Sequence, residues 1–531
     1  MVKNGKRKIM KENGESAVLK GWKISDSYSG PSTKMSKLLL WTESDTEIKK
    51  NENSKISLND SLIKDDFINN FADSFKKKKT MKAQNAQLLN DPFQIGVINN
   101  FLKDPELIPK LVKEMENIEW NKKQMDLYEF YQSTDLVNVT SHYISSFYNF
   151  ITNDVKIWME NLTGMKIQKV SMSCSMYNST NYLLSHDDLL SDRLIAYVFY
   201  LSPWKQALQW NESMGGALEV FKSDSDGQPQ FPSYKKFFPA NNQFAFFKVE
   251  KKSHHQVGEV LTKDYPRLTI HGWFHGYKDN VDYDADAVKI KTPNVPIFKS
   301  PNSLTFDNSK IINKNYLKSS IKSAIQQQIE ENSEAGLGEF LTDEFLGNIQ
   351  EDLANKSLKW ITKGPANQQN YEILDVQSLP KNSSLRELIS LVGSKHFFKL
   401  LHEYTELDVH GKNAKSPTCT VEFQRWKGGC YALINDPSTY SDDSLDLLLN
   451  IGHNEGVGTT TYLVPDKPDS DAMSDYETDE DDSVLLTIYP QNNFLNLVYR
   501  SAGTAKFTKY CYKSAIMDSE FNYILSCSYK E

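Results

Sequence analysis

Three blocks of this 531-residue sequence occur twice, in the same order, once in each half of the chain. Tyr182-Leu183-Leu184-Ser185-His186-Asp187-Asp188 aligns without gaps on Tyr431-Ala432-Leu433-Ile434-Asn435-Asp436-Pro437. Gly215-Gly216-Ala217-Leu218-Glu219-Val220-Phe221 pairs with Gly456-Val457-Gly458-Thr459-Thr460-Thr461-Tyr462, and Asn242-Gln243-Phe244-Ala245-Phe246-Phe247 with Asn493-Phe494-Leu495-Asn496-Leu497-Val498. One such match could be coincidence, but three in register argue for a duplicated unit. The unit is β. Short runs such as Leu194 to Leu201, Ala217 to Phe221, Asn242 to Val249 and Arg267 to Phe274 are punctuated by Gly, Pro, Asn and Asp, the pattern of a barrel or sandwich.

The two copies differ where chemistry is concerned. His186 has become Asn435, Asp188 has become Pro437, and His255 lines up with Lys506. The first copy therefore retains a set of metal-ligating side chains that the second has lost. H-x-D on a strand puts both side chains on one face, within reach of one ion. A third ligand, His255, lies further along the same β region, preceded by His254. Two imidazoles and one carboxylate leave open positions on a metal, the arrangement of non-haem Fe(II) oxygenases. A dozen residues beyond His255 stands Arg267, whose guanidinium can take a distal carboxylate bidentately. That pairing suits 2-oxoglutarate, with its keto-acid end on iron and its other carboxylate on Arg267. Alternation places Thr269 and His271 on the face of Arg267, and turns His254 away from that of His255.

The stretch Tyr177 to Gly276 resembles the prolyl hydroxylase branch of the 2-oxoglutarate and Fe(II)-dependent oxygenases. It is most similar to the ribosomal prolyl hydroxylases, which act on a small-subunit ribosomal protein. The matching segments are Leu183 to Asp188, Ala196 to Leu201, Met214-Gly215-Gly216, His255-Gln256-Val257 and Gly272 to Gly276. Leu127-Tyr128-Glu129-Phe130, Arg425-Trp426-Lys427 and Leu497 to Arg500 extend the likeness to both sides. The resemblance implies a mainly β protein with flanking helices, made of tandem double-stranded β-helix (jelly-roll) domains, the first catalytic and the second degenerate. It implies His186, Asp188 and His255 as iron ligands, Arg267 as the anchor of 2-oxoglutarate, and Tyr177 as a further contact to that cosubstrate. Thr269 is added on alternation alone. O₂ is the second cosubstrate, and stimulation by ascorbate is expected. The activity implied is prolyl hydroxylation, at C3 if the likeness extends so far. A rival reading is an oxygen- or iron-sensing regulatory protein in translation or transcription control, with little catalytic role.

The rest of the chain suggests its organisation. Hydrophobic residues are 39% and charged residues 24%, enough apolar material for large cores. Residues 1–88 read as a polar basic tail, with clusters at Lys3 to Lys8 and Lys76 to Lys79 that could serve nuclear import. The catalytic domain is expected over 89–280, a linker over 281–314, and the second domain over 315–531. Within the latter, the run Asp466 to Asp482 is strongly acidic and suits a basic partner such as a ribosomal protein. The net charge of -8 argues against direct nucleic-acid binding. Five scattered cysteines without a CxxC pair fit a reducing compartment, nucleus or cytoplasm, and no run is long and apolar enough for a membrane span.

Overall fold

The computed structural model describes residues 55–190, 192–204, 209–277, 296–409, 417–452, 458–464, 483–513 and 520–530. They build two β assemblies that repeat one another strand for strand. In the first, Ile95–Ile98, Gln243–Lys248, Arg193–Tyr200, Arg267–His275 and Lys169–Tyr177 lie side by side. Tyr128–Ser133 then carries the sheet over to Tyr182–His186, His255–Val257, Leu218–Val220 and Lys235–Phe237. The second assembly follows the same path through Glu334–Gly338, Phe494–Arg500, Ser444–Ile451, Asn522–Lys530 and Thr418–Trp426, then across Gln369–Leu374 to Tyr431–Ala432, Ala505–Thr508, Thr460–Leu463 and Val484–Ile488. All these pairings are antiparallel, and the path of each is that of a jelly roll.

The register shows that the sequence alignment is also a spatial one. Leu183 pairs with Val257 in the first half, and Ala432 with Thr508 in the second. Tyr177 faces Arg267, and Trp426 faces Asn522. Asn242 and Asn493 both adopt a left-handed backbone, with φ of 57° and 52°. Each clamps an earlier segment by the same two bonds: Asn242 to the backbone N–H and carbonyl of Leu102 at 2.8 and 3.0 Å, Asn493 to those of Leu341 at 2.8 and 3.0 Å. The duplicated unit thus includes the segment before the strands that the sequence blocks reveal.

Helices cover one face of each large sheet. His142–Phe150 and Lys156–Thr163, joined by a π-helical turn over Ile151–Val155, bury Phe147, Phe150, Trp158 and Met159 on the first. Phe101 sits where Phe150, Trp158, Phe199 and Phe244 converge, with ring centroids 4.4–6.1 Å away. In the second half Ser394 accepts from Phe397 N–H to cap Lys395–Thr405, whose Phe397, Phe398 and Leu401 enter the core.

Two expectations on organisation need correction. Residues 55–88 are not tail. Phe67, Phe71 and Phe75 recur at helical spacing within the Lys-rich stretch, and Asp65–Lys76 is a helix that buries Phe71 and Phe75, with Phe71 6.0 Å from Phe246. Ala86–Leu89 then pairs with Ile95–Ile98. Polar composition masked that apolar stripe. Lys76 to Lys79 stay exposed at the end of this helix, and Lys77 pairs with Asp73 at 2.7 Å. The linker, too, is shorter than expected: Asn308–Ile311 is helical, and Ile311 and Ile312 are buried in the second core. The cluster Lys3 to Lys8, residues 281–295, Gly456-Val457 and the acidic run from Asp466 to Asp482 lie outside the described residues. Among the described residues no helix is long and apolar enough to cross a membrane, and all five cysteines are free and buried.

The halves share an apolar seam. Tyr182 and Leu184 of the first pack with Tyr431, Leu433 and Tyr510 of the second. Around the seam, acids of the first half meet donors of the second. Asp126 accepts from Ile434 N–H at 2.8 Å, and Glu129 from the Tyr512 hydroxyl at 2.6 Å while pairing with Lys509 at 2.9 Å.

Candidate metal centre

His186 ends the strand Tyr182–His186, and His255 opens the strand His255–Val257 that pairs with it. Between the pairs His255↔His186 and Val257↔Leu183 the first strand has one residue more than the second, a β-bulge. The bulge has a consequence for direction. Tyr182 and Leu184 face the seam between the halves, whereas His186 turns to His255, with ring centroids 4.2 Å apart. Asp188 reaches the same point by a different route from the one alternation suggests. It lies beyond the strand with φ of 61°, in the left-handed region that aspartate tolerates better than most residues. Its carboxylate is 3.5 Å from Nε2 of His186 and 3.5 Å from Nε2 of His255.

One ligating atom from each of His186, Asp188 and His255 lies within 4.8 Å of the others, the one such group among the described residues. Both imidazoles are set for Nε2 ligation. Nδ1 of His186 donates to the Leu184 carbonyl at 2.8 Å, and Nδ1 of His255 to that of Ser253 at 2.8 Å. Fixing the other nitrogen in this way chooses the tautomer and aims the ring. Burial opposes charge on Asp188, but the hydrogen bond from His186 and the charges of His186, His255 and Arg193 hold its carboxyl well below the usual range. Burial, aided by the neighbouring His186, pushes His255 down to about 4. A carboxylate and imidazoles gathered within ion-binding distance, with their second nitrogens tied back, could hold Fe(II).

Arg267 is 2% exposed at the head of the strand Arg267–His275. Its Nε donates to the Gly216 carbonyl at 2.9 Å, and its guanidinium lies 5.0 and 5.2 Å from the ring centres of Tyr177 and Tyr200. Gly216, at φ +67°, permits this approach, since a Cβ there would stand 3.2 Å from Arg267 Cδ and 3.0 Å from a Val260 methyl. Among the described residues no carboxylate pairs with this buried cation. A carboxylate ligand fits that vacancy of charge. Tyr177 pairs across the strands with Arg267 and stacks on Phe130 at 4.7 Å. Thr269, 1% exposed, lies between Ser175 and Tyr200 on the neighbouring strands.

The rival imidazoles are occupied elsewhere. His254 points its Nε2 to the Gly227 carbonyl at 3.0 Å, away from the cluster. His271 is held by Ser175 Oγ at 3.1 Å, and burial followed by the Arg267 charge pushes it down to about 4, so it lines the Arg267 side as a neutral ring. Asp187 and Asp192, both half-buried, flank the cluster. Asp187 accepts from Leu189 N–H at 3.1 Å; Asp192 lies 2.8 Å from His275 Nδ1 and 3.4 Å from Lys169. Arg193 escaped the sequence reading. Its guanidinium stands 3.7 Å from Asp188 and 3.6 Å above the Trp273 ring, and no motif marks it.

In the second half the equivalent interior is closed by a side chain. Lys506 projects to Asp446, which is fully buried and stands where the first half has Ala196. The contact is 2.7 Å; Arg500 at 3.4 Å, the Tyr462 hydroxyl at 3.2 Å and Ser528 Oγ at 2.5 Å complete the set around Asp446.

A jelly roll with a facial imidazole–carboxylate cluster and a buried arginine defines the class of 2-oxoglutarate and Fe(II)-dependent oxygenases, and residues 172–275 match the model of the 2OG-Fe(II) oxygenase superfamily. Residues 307–531 match that of the oxoglutarate and iron-dependent oxygenase degradation C-term. The chain is 43% identical to Prolyl 3-hydroxylase sudestada1 of Drosophila melanogaster over 86% of its own length and 87% of the relative's. It is 31% identical to Prolyl 3-hydroxylase OGFOD1 of Xenopus laevis over 79% and 83%. The chain belongs to the prolyl 3-hydroxylase family, and is a 2-oxoglutarate-dependent peptidyl-proline hydroxylase. A Pseudomonas putida prolyl-4-hydroxylase structure aligns over 40% of this chain and 99% of its own, with 13% identity and a TM-score of 0.30.

Proposed function

We propose that this prolyl hydroxylase binds Fe(II) through His186, Asp188 and His255, anchors 2-oxoglutarate on Arg267 beside Tyr177 and Thr269, and hydroxylates C3 of a proline in a basic small-subunit ribosomal protein, with an effect on translation. The observation that carries the site assignment is the convergence of two Nε2 atoms and one carboxylate near a buried guanidinium that has no acid partner among the described residues. Bound iron with 2-oxoglutarate and O₂ supplies the oxidising power, which no side chain has. The protein's part is orientation. Leu184 and Ser253 carbonyls hold the two imidazoles, Arg193 holds Asp188, and Gly216 with the Tyr177 and Tyr200 rings holds Arg267. His271, lowered to about 4 by desolvation and the Arg267 charge, adds no charge that would compete with Arg267 for the cosubstrate.

C3 is the position in the names of both relatives above. A basic substrate is supported by the net charge of -8 and the acidic run from Asp466 to Asp482. The ribosomal character of that substrate rests on the resemblance of the segments around the site, and residence in nucleus or cytoplasm on the five scattered cysteines without a CxxC pair. Ascorbate belongs to the same proposal, as the reductant that keeps the metal ferrous. The test is incubation of the purified chain with Fe(II), 2-oxoglutarate and small-subunit ribosomal proteins, followed by peptide mass spectrometry. A proline gaining one oxygen, assigned to C3 by NMR of the isolated peptide, is expected. Succinate formation without any modified proline in that pool would reject the substrate class.

A further inference from the structure

One residue of the second half touches one histidine-bearing strand of the first and the exit of the other. The Tyr510 ring packs 4.3 Å from that of Tyr182, the first residue of the strand that ends in His186. Its hydroxyl donates to Glu259 at 3.2 Å, just beyond the strand that begins with His255. Lys513 N–H donates to the same carboxylate oxygen at 2.8 Å. The connection runs on to the arginine: the Glu259 carbonyl accepts from Gly216 N–H at 2.9 Å, and the Gly216 carbonyl holds Arg267 Nε. Leu184, whose carbonyl orients His186, is packed in the same seam with Tyr510 and Leu433.

A bulge carries an extra residue past the partner strand, so pairing with that strand alone does not fix its direction. Here the bulge includes Leu184, whose N–H is held on the other edge by the Leu127 carbonyl at 2.9 Å, whose carbonyl aims His186, and whose side chain packs against Leu433 and Tyr510 of the other half. We propose that Tyr510 is a positioning residue. It clamps the bulge before His186 against the exit of the His255 strand, so that the metal site reaches its working geometry only with the second half docked. This rests on His186 and His255 being ligands, as proposed above. It also gives the second half a task that needs no metal of its own.

The clamp is testable without turnover, by titrating Mn(II) into the metal-free full-length protein. Tyr510→Ala is expected to weaken Mn(II) binding on the order of tenfold or more, the usual scale for losing a group that supports a ligand. Leu433→Ala, a smaller truncation on the same seam, shifts affinity in the same direction and carries the test should Tyr510→Ala fold poorly. Tyr510→Phe keeps the ring and recovers most of the affinity. Ile349→Ala, in the helix Asp343–Leu353, opens a hole in the second half's own core, which shares no residue with the seam, and leaves Mn(II) binding unchanged. Wild-type affinity in both seam variants would overturn the clamp, and so would an equal loss in Ile349→Ala. His186→Ala separates the two proposals: if it binds Mn(II) like wild type, the ligand assignment itself falls.

Discussion

Replacing Arg267 by methionine separates a residue that holds the fold from one that waits for a ligand. In the metal-free, cosubstrate-free protein the substitution removes a charge-assisted hydrogen bond to Gly216, worth about 1.5–3 kcal/mol. It also removes a guanidinium near two aromatic rings, worth about 0.5–2 kcal/mol. Against these stands the desolvation of a cation that is 2% exposed and has no described acid partner, several kcal/mol on general grounds. The terms offset, and methionine fills much of the same volume, so the unliganded variant should be within about 1–2 kcal/mol of wild type. With cosubstrate the outcome reverses. At a concentration of about 100 Kd, wild type gains about 2.7 kcal/mol from binding. A loss of ~2 kcal/mol or more in affinity, about 30-fold, leaves the variant at roughly 3 Kd, where the gain is only ~0.9 kcal/mol. Calorimetric scans with Mn(II), with and without 2-oxoglutarate, measure both quantities. A large drop in Tm for the unliganded variant would mean that the guanidinium already has its full complement of partners. An undiminished shift with 2-oxoglutarate would mean that another group holds the carboxylate.

His186→Ala and Asp188→Ala should each abolish turnover and stoichiometric Mn(II) binding while the circular dichroism spectrum stays that of the wild type; activity near normal in either would remove the iron assignment. His255→Ala should be inactive, whereas His254→Phe, which gives up only a bond to the Gly227 carbonyl, should retain most activity and lose about 0.5–1.5 kcal/mol of stability. Lys506→Met should destabilise the second half by about 1–3 kcal/mol, less than the full cost of an orphaned buried charge because Arg500, Tyr462 and Ser528 remain around Asp446. Its pH signature follows from the sign. Despite burial, Lys506 and Arg500 depress the Asp446 carboxyl in the fold, so its stabilisation is present above the unfolded value and fades as pH falls through the folded one. In Lys506→Met acid unfolding should therefore begin at a higher pH than in wild type, as read by tryptophan fluorescence. Deleting residues 466–482 should slow turnover of a whole basic protein at low salt and spare a short peptide, because exposed charges act on encounter and are screened over about 8 Å at physiological ionic strength; equal effects on both substrates would reject that role.

A duplicated β barrel or sandwich was legible because its strands are short and repeated, and the resemblance of the segments around the site narrowed it to a jelly roll. The repeat also located the chemistry, since residues that change between two copies of one architecture are those that architecture does not need. His186, Asp188 and His255 do converge, although Asp188 arrives through a left-handed turn and not along a strand face. What stayed hidden depends on residues far apart in the chain. The helix Asp65–Lys76 was concealed by lysines around a three-phenylalanine stripe. Arg193 gains meaning only once Trp273 lies beneath it. Tyr510 meets Tyr182 and Glu259 only across the seam, so no local periodicity could announce it.

The contact of Lys506 with Asp446 separates the two halves by how each obtains the charge at its centre. The first half must collect a cation from its surroundings, at whatever level the cell supplies, and can lose it to a chelator. The second is born with its cation attached to the backbone, and no change in iron supply can remove it. During iron starvation the chain would therefore keep one finished half, still presenting Tyr510 and Leu433 to an empty neighbour. Reloading would then require only the return of an ion to a cluster whose supporting seam is already in place, and not the refolding of a protein.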